Sequence, residues 1–348
     1  MRRNDKHLHS AGAWDLLRGA TTTQIAGCTP EGRPVLRTLN TVVWRDGLAF
    51  HAAHAGEKLE LLGQPVVAQV EQEVALIPSH WMHPERACPA TCWYRSAQLH
   101  GRLVAVEDLD DKAEVLQAIM SRYQPEGGHR TITAQDPMYT AVVRGLLIGY
   151  VAAEDVTGKL AVGQNYPAAQ RAVVLDGLWR RGADGDVEAI DLCRDASPQD
   201  EPAPAYLAAP EGARLRLTQR PGDVAAFVAL ARESYWNLAF QPQTIAAAQE
   251  GSTAWVGATD RGGALIGSAR AVSDGAKHAW IGDVFVSEPW RARGLGQALM
   301  RTILDHPRVR GVRHVALRTR DAMRFYERFG FREQRREHER SEMVLTRG

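Results

Sequence analysis

Arg291, Arg293, Gly294 and Gly296 lie close together in Ile281–Met300, IGDVFVSEPWRARGLGQALM, between an apolar stretch and an amphipathic one. Glycines remove Cβ atoms where a backbone must come close to a ligand. The unpaired N–H groups that open the following helix point at an anion, and the helix dipole adds to the attraction. Two arginines add charge, so the arrangement suits a pyrophosphate. No Gly-Lys-Ser/Thr follows, so this is not a Walker loop, and a dinucleotide fingerprint would need a third glycine. Taken alone, the same residues also describe a tight strand–helix turn.

Other groups could move protons. Tyr326 lies in Thr319–Phe331, TRDAMRFYERFGF. A phenol near pKa ~10 can protonate a thiolate near ~8.5 with a small uphill step. An aromatic on a helix is equally a packing residue. Asp283 and Glu288 flank the apolar stretch and are candidates to take a proton from an alkyl ammonium near pKa ~10.4. Each could equally be a plain surface carboxylate. Asp321 reads as the N-cap of the helix carrying Tyr326, and Gly330 as its C′ residue with Phe331 packing back. In the first half, Arg37, Thr38, Asn40, His54, Lys58 and Ser96 sit on or near short apolar stretches, where Arg, Lys, Ser and Thr suit a phosphate. His80, His83, Cys88 and Cys92 have the residue types of a zinc site at a non-standard spacing. A loop with two buried thiols is the other reading, and no metal is assigned.

The elements that must position these groups fall into two sets. The chain has 348 residues, 45% hydrophobic and 24% charged, which is ordinary for globular protein. Its length suggests two domains. No apolar run approaches the ~18 residues of a membrane span, Met1–Ala20 has no apolar signal core, and four cysteines make no disulfide framework, so a cytoplasmic protein is expected. Through Glu201 there are 20 basic and 26 acidic residues, and after it 22 and 15. The basic half suits an anionic ligand. Its cations scatter without a helix-turn-helix or an aromatic platform, which favours a phosphate-rich cofactor over nucleic acid.

Arg194–Ala213, rich in Pro and Ala, reads as a semi-stiff linker. The expected division is a domain at 1–195, a linker at 196–213 and a domain at 214–348. The first side alternates apolar and polar residues in strands at Gln24–Cys28, Val35–Trp44, Leu48–Ala53, Val66–Ile77, Trp93–Val106 and Arg144–Glu154, with one helix at Asp108–Tyr123. This spacing predicts an antiparallel β barrel. The second side alternates helix and strand. Strands are expected at Ala254–Ala258, Ala264–Val272, Ala279–Val286 and Val312–Leu317, and helices at Pro221–Glu233, from Arg293 and from Asp321, a mixed α/β domain.

Arg291-x-x-Gly294-x-Gly296 after a strand resembles the acyl-CoA signature of the GNAT acetyltransferase superfamily. Thr319…Tyr326…Gly330-Phe331 resembles that family's A-x-x-x-Y…GF element, and the likeness runs over about 215–333. It implies a GNAT fold that binds acetyl-CoA through Arg291, Arg293, Gly294, Leu295, Gly296 and Gln297. The backbone of Phe285 and Val286 would pair with the pantetheine arm, and an N–H there would polarise the thioester carbonyl. Tyr326 takes the family's general-acid position, and Asp283 or Glu288 would serve as base, directly or through water. The acceptor is a small-molecule amine, and its pocket falls around Ser234–Phe240 and Arg270–Asp274.

His51…Gly56-Glu-Lys58, Tyr94-Arg-Ser96…Gly101 and Thr157-Gly-Lys159…Gln164-Asn165 resemble, in order, the FMN-binding split barrel of pyridoxamine 5′-phosphate oxidase-like proteins. Nitroimidazole-reductase-like proteins and FMN-binding negative regulators are the nearest types. The likeness covers about 16–178 and implies FMN, with its phosphate near Arg37, Thr38 and Lys58. His54 and Ser96 would lie near the ring or ribityl chain, with Asn40 also among the binding residues. Cys92-Trp93 departs from the Trp-Asn of the regulators. Members of these families also bind haem or deazaflavin. The resemblance implies a homodimer through the barrel. It leaves two functions open: a bifunctional flavin protein and N-acetyltransferase, or an FMN- or haem-binding sensor fused to a modifying acetyltransferase.

Overall fold

A computed structural model describes residues 7–197 and 201–333. The chain forms two compact units, 1–167 and 168–348.

The first unit contains β1 (His7–Leu8), α1 (Ser10–Gly19), β2 (Thr23–Cys28), β3 (Pro34–Leu39), β4 (Val42–Trp44), β5 (Gly47–Ala52), β6 (Pro65–Ile77), β7 (Thr91–Ala105), α2 (Leu109–Tyr123), α3 (Pro137–Gly145), β8 (Leu147–Ala152) and β9 (Asp155–Ala161). The strands pair in the order β3-β2-β6-β7-β8-β5-β4, and β9 bridges β1 and β7. Every described pair in this unit is antiparallel. The long strand β7 serves two sheets, pairing β6 and β9 in one and β8 in the other, which joins them into a split barrel. Ile25, Leu48, Phe50, Ala68, Leu99 and Val151 fill its interior. The α2 helix starts where Asp108 accepts hydrogen bonds from the N–H groups of Asp110 and Asp111. The α3 helix starts where Asp136 accepts from Met138 N–H, with Pro137 at its first turn. Both helices close a second core with Trp44, Ala49 and Ile148. The expected single strand Val35–Trp44 is two strands, because the chain turns between Leu39 and Val42.

The second unit contains α4 (Ala168–Arg181), α5 (Asp186–Asp195), β10 (Arg214–Arg216), α6 (Asp223–Ala231), α7 (Pro242–Glu250), β11 (Ala254–Thr259), β12 (Leu265–Ser273), β13 (His278–Val286), α8 (Leu295–Asp305), β14 (His314–Ala316) and α9 (Met323–Glu327). Its sheet runs β10-β11-β12-β13-β14, antiparallel except for the parallel pair β13–β14. The stripe Leu295, Leu299 and Ile303 of α8 is fully buried. Phe227, Ile245, Trp255 and Phe285 pack together beneath α6 and α7.

The expected domain boundary at 195/196 falls inside this second unit. Trp179 of α4 stacks on Tyr206 with ring centroids 4.3 Å apart, and its Nε1 donates to Asp305 at the end of α8 over 2.7 Å. Buried Asp191 of α5 accepts at Oδ2 from Leu217 N–H, Thr218 N–H and the Thr218 hydroxyl, each at 2.8 Å. The expected linker is likewise packed. Leu207 is buried, Tyr206 Oη donates to Leu175 O, and Thr302 Oγ1 donates to Tyr206 O. Residues 198–200 of that stretch, and 334–348 of the expected second domain, lie outside the described residues.

Candidate functional site

The central feature of the second unit is a split between two parallel strands. β13 and β14 pair only at His278–Trp280 and His314–Ala316. Beyond that point β13 continues alone to Val286, keeping its antiparallel partner β12 on the other side. The edge of β13 from Ile281 to Val286 therefore faces a cavity instead of a strand, with Leu317, Arg318 and Thr319 on the opposite wall. The cavity volume is about 1110 Å³. An unpaired strand edge offers N–H and C=O groups to an extended ligand in the manner of an added strand.

The floor of the cavity is the glycine turn. Gly294 is in the left-handed region at φ +85° and is the N-cap of α8. Any residue with a Cβ is strained there. The first N–H that finds a helical partner is that of Ala298, which donates to Gly294 O. The N–H groups of Leu295, Gly296 and Gln297 are thus left at the helix start for an anion. Gly294, Gly296 and Gln297 line the cavity. A Cβ on Gly296 would meet Phe325 at 3.4 Å and Val286 at 3.7 Å, so a larger side chain would fill the space. Arg291 Nε donates to Val286 O over 3.2 Å and ties the turn to the end of β13. Leu295 is buried and offers only its backbone. Exposed Arg293 lies over the Trp290 ring, 5.5 Å from its centroid, and does not reach the cavity lining. These residues fit a pyrophosphate followed by an extended arm.

Tyr326 reaches the cavity from α9. Burial, with smaller contributions from Tyr235 and Asp321, pushes its phenol up to about 12. It therefore holds its proton more firmly than a free phenol does, and delivering that proton to a thiolate is a steeper step than a pKa near 10 implies. Phe331 packs on it at 6.1 Å, just past Gly330 at φ +85°, as expected of a left-handed helix end. Asp321 does not cap α9. Thr319 Oγ1 accepts from Ala322 N–H instead, and Asp321 lines the cavity.

Asp283 sits at the β-bulge where Asp283 and Val284 oppose Ala269 alone, and its φ is +49°. A non-glycine residue with this backbone is uncommon and costs strain. Its carboxylate is engaged on every side: Trp236 Nε1 donates over 3.0 Å, Gln249 Nε2 over 3.1 Å and Arg270 Nε over 2.5 Å. Asp283 is thus an anchor first, and it must release a donor before it can take a proton directly. Glu288 is exposed in a short 3-10 turn and lies outside the cavity lining. Of the acceptor-pocket expectation, Ser234, Tyr235, Trp236, Asn237, Phe240 and Arg270 do line the cavity. Asp274 does not. Its Oδ1 accepts from the N–H groups of Ala276, Lys277 and His278 and organises a turn. Gln249 had no signal in the sequence, since a lone glutamine on a helix looks like a solvated residue.

In the barrel, the phosphate candidates divide between two faces. Thr38, on β3, is in register with Gln24, Gln69 and Gln98. Ser96 is two residues along β7 from Gln98, so it shares this polar outer face, three strand spacings from Thr38. Arg37 falls in the other row, level with buried Ile25, Ala68 and Leu99, and emerges at the sheet edge to pair with Glu57. Lys58 lies beside Glu57 and donates to Ala55 O. Arg37 and Lys58 are thus brought together, and Thr38 is not with them. Asn40 and His54 are exposed in loops. The donors fit a flavin phosphate in chemistry, but such a phosphate must take Arg37 from Glu57.

His80, His83, Cys88 and Cys92 do not converge: among the described residues no three His, Cys, Asp or Glu side chains are arranged to hold a metal. His83 Nδ1 instead accepts from the N–H groups of Glu85 and Arg86, which makes it a turn former. Cys88 is exposed and Cys92 half-buried, so the pair of buried thiols is not found. No helix among the described residues is long and apolar enough to cross a membrane.

Family comparisons find a different family in each half of the chain. The pyridoxamine 5′-phosphate oxidase family model matches residues 9–159, and the acetyltransferase (GNAT) family model matches 220–331. A FAD- and heme-binding protein from Mycobacterium smegmatis is 21% identical over 45% of this chain and 73% of its own, with a TM-score of 0.38. A flavocytochrome from Azotobacter vinelandii is 18% identical over 44% and 67%, with a TM-score of 0.36. A protein described as an acetyltransferase of the GNAT family, from Xanthomonas campestris pv. campestris, is 27% identical over 40% and 96%, with a TM-score of 0.35. No curated protein matches the chain.

Proposed function

We propose, of a chain that joins a pyridoxamine 5′-phosphate oxidase-type domain to a GNAT acetyltransferase domain, that the second domain carries acetyl from acetyl-CoA to a small-molecule amine. In this reading the first domain binds a flavin, FMN by the sequence resemblance, and pairs with a second copy as a homodimer. The observation that carries the transferase reading is the parting of β13 from β14 above the glycine turn, with Tyr326 beside the opening.

Acetyl-CoA supplies an activated thioester. The acceptor nitrogen forms a C–N bond to the acetyl carbon, the C–S bond breaks, the sulfur takes up one proton and the nitrogen gives one up. The chain's own groups manage position and protons. The N–H groups opening α8 hold the pyrophosphate, and the free edge of β13 at Phe285–Val286 aligns the arm and polarises the carbonyl. Tyr326 holds the proton for the sulfur. Its raised pKa is offset because the same partly buried wall also disfavours a thiolate. Asp283, fully engaged, takes the amine proton only through water, and Glu288 plays no part. The flavin supplies redox chemistry when bound; Arg37 and Lys58 are placed to hold its phosphate once Glu57 yields.

The test is thiol release from acetyl-CoA by the full-length protein, with a panel of primary amines, beside calorimetric titration of acetyl-CoA itself. Gly294→Glu puts a side chain in the left-handed region and a negative charge at the helix start. It should weaken acetyl-CoA binding at least about 10-fold. Unchanged binding would place the pyrophosphate elsewhere.

A further inference from the structure

We infer that the amine accepted at this site carries a carboxylate, as an amino acid does, and that Arg270 is the residue that reads it. This rests on the transferase reading and names its acceptor class. Arg270 reaches the cavity from β12, its side chain only 17% exposed. Asp283 holds the guanidinium by one edge, through Nε alone. Among the described residues the terminal nitrogens Nη1 and Nη2 have no hydrogen-bond partner. Nη2 lies 3.5 Å from the point where Gly282, itself a lining residue, would carry a Cβ. A larger residue at 282 would crowd this edge of the fork.

A guanidinium presents five N–H donors in a fixed plane, and its Nη1/Nη2 edge matches the two oxygens of a carboxylate. Here the plane is pre-set. Asp283 fixes it, Trp236 and Gln249 fix Asp283, and the bulge that strains Asp283 aims the pair into the opening. These donors open on the cavity, where a carboxylate can pair with them by charge-assisted hydrogen bonds. The surrounding charge agrees. Arg270, Arg291, Arg318 and Arg328 line the cavity against Asp283 and Asp321 alone. Arg291, tied through Nε to Val286 O, belongs to the pyrophosphate end, and Arg270 to the bulge. Tyr235, Trp236 and Phe240 would receive an apolar side chain. The transfer itself is unchanged: the C–N bond forms at the amine and the carboxylate takes no part.

The test uses the full chain saturated with CoA. Calorimetry compares L-phenylalanine and L-leucine with their primary amides and with phenethylamine and isoamylamine. Thiol release from acetyl-CoA is then measured for the same six compounds. The inference expects at least one amino acid to bind about 10- to 100-fold more tightly than its amide and its decarboxylated amine, the span of a charge-assisted pair. Arg270→Gln and Arg270→Lys should shrink that ratio toward one and raise KM more than they lower kcat. A variant that merely loosened the pocket would weaken acid and amide alike and keep the ratio. Equal binding of acid and amide by the unmodified protein, no binding of either acid, or a ratio untouched by Arg270→Gln would each overturn the inference while acetyl-CoA still bound. A protein that fails to bind acetyl-CoA at all would overturn the transferase reading first.

Discussion

At the scale of single residues, the site is defined by which groups are already committed. Asp283 and Asp321 were both given roles by position along the chain, and both have different neighbours in space. Asp283 is tied by three donors, and at the start of α9 it is Thr319, not Asp321, that accepts from Ala322 N–H. Tyr326 remains available, with its proton held firmly. Tyr326→Phe should lower kcat by about 100-fold, the lower end of general-acid contributions, and leave acetyl-CoA affinity unchanged. Equal loss of binding would make the tyrosine a wall and not an acid. His306 gives a test by pH. Burial first, then Arg308 and Arg310, lowers it to about 4 from the usual 6.5. Between those values the unfolded chain binds a proton that the folded chain refuses. Stability is therefore full above about pH 6.5 and falls as pH drops toward 4. His306→Leu should flatten the decline in Tm between pH 7 and pH 5; an unaltered slope would assign the acid sensitivity to other groups.

At the scale of elements, the second domain is built around what α4 and α5 cover. Asp191 holds the start of the stretch after β10 by three hydrogen bonds from a fully buried position. Asp191→Ala orphans the buried N–H of Leu217 and the part-buried N–H of Thr218 and should cost about 2–4 kcal/mol, read as a lowered urea midpoint with unchanged m. A loss under about 0.5 kcal/mol would mean that α5 is a peripheral helix. The helices at 168–195 were not distinguished from the first domain in the sequence. Their partners, Asp305, Tyr206 and Thr218, lie 27 to 126 residues away, and no local period reports them. The α3 helix was missed although Asp136-Pro137 is a sound N-terminal signal, because its nine residues carry a short period. The strand edge at β13, by contrast, was legible, since an apolar run ending in Arg-x-x-Gly-x-Gly needs only local geometry.

For the whole molecule, the two halves make separate claims. The barrel places its flavin candidates on two faces, two strands and the connecting loops, so no one of them carries the assignment. An absorbance spectrum of the purified chain, with mass spectrometry of whatever denaturation releases, should show flavin bands and the mass of FMN. A Soret band would move the assignment to haem. A protein still colourless after soaking with FMN would leave acetyl transfer as the chemistry of this chain.

The sequence by itself determined the two fold classes, the glycine turn that opens α8, and the tyrosine on the helix beyond it. All of these rest on spacing within a few turns of chain, where a residue's neighbours in sequence are its neighbours in space. The tertiary structure decided where the domains divide, which carboxylates are engaged, that Thr38 and Arg37 face apart, and that Arg270 meets Asp283. Those contacts join residues distant in sequence across a bulge or a sheet. A one-residue change of register there sends a side chain to the opposite face, and only packing selects the register.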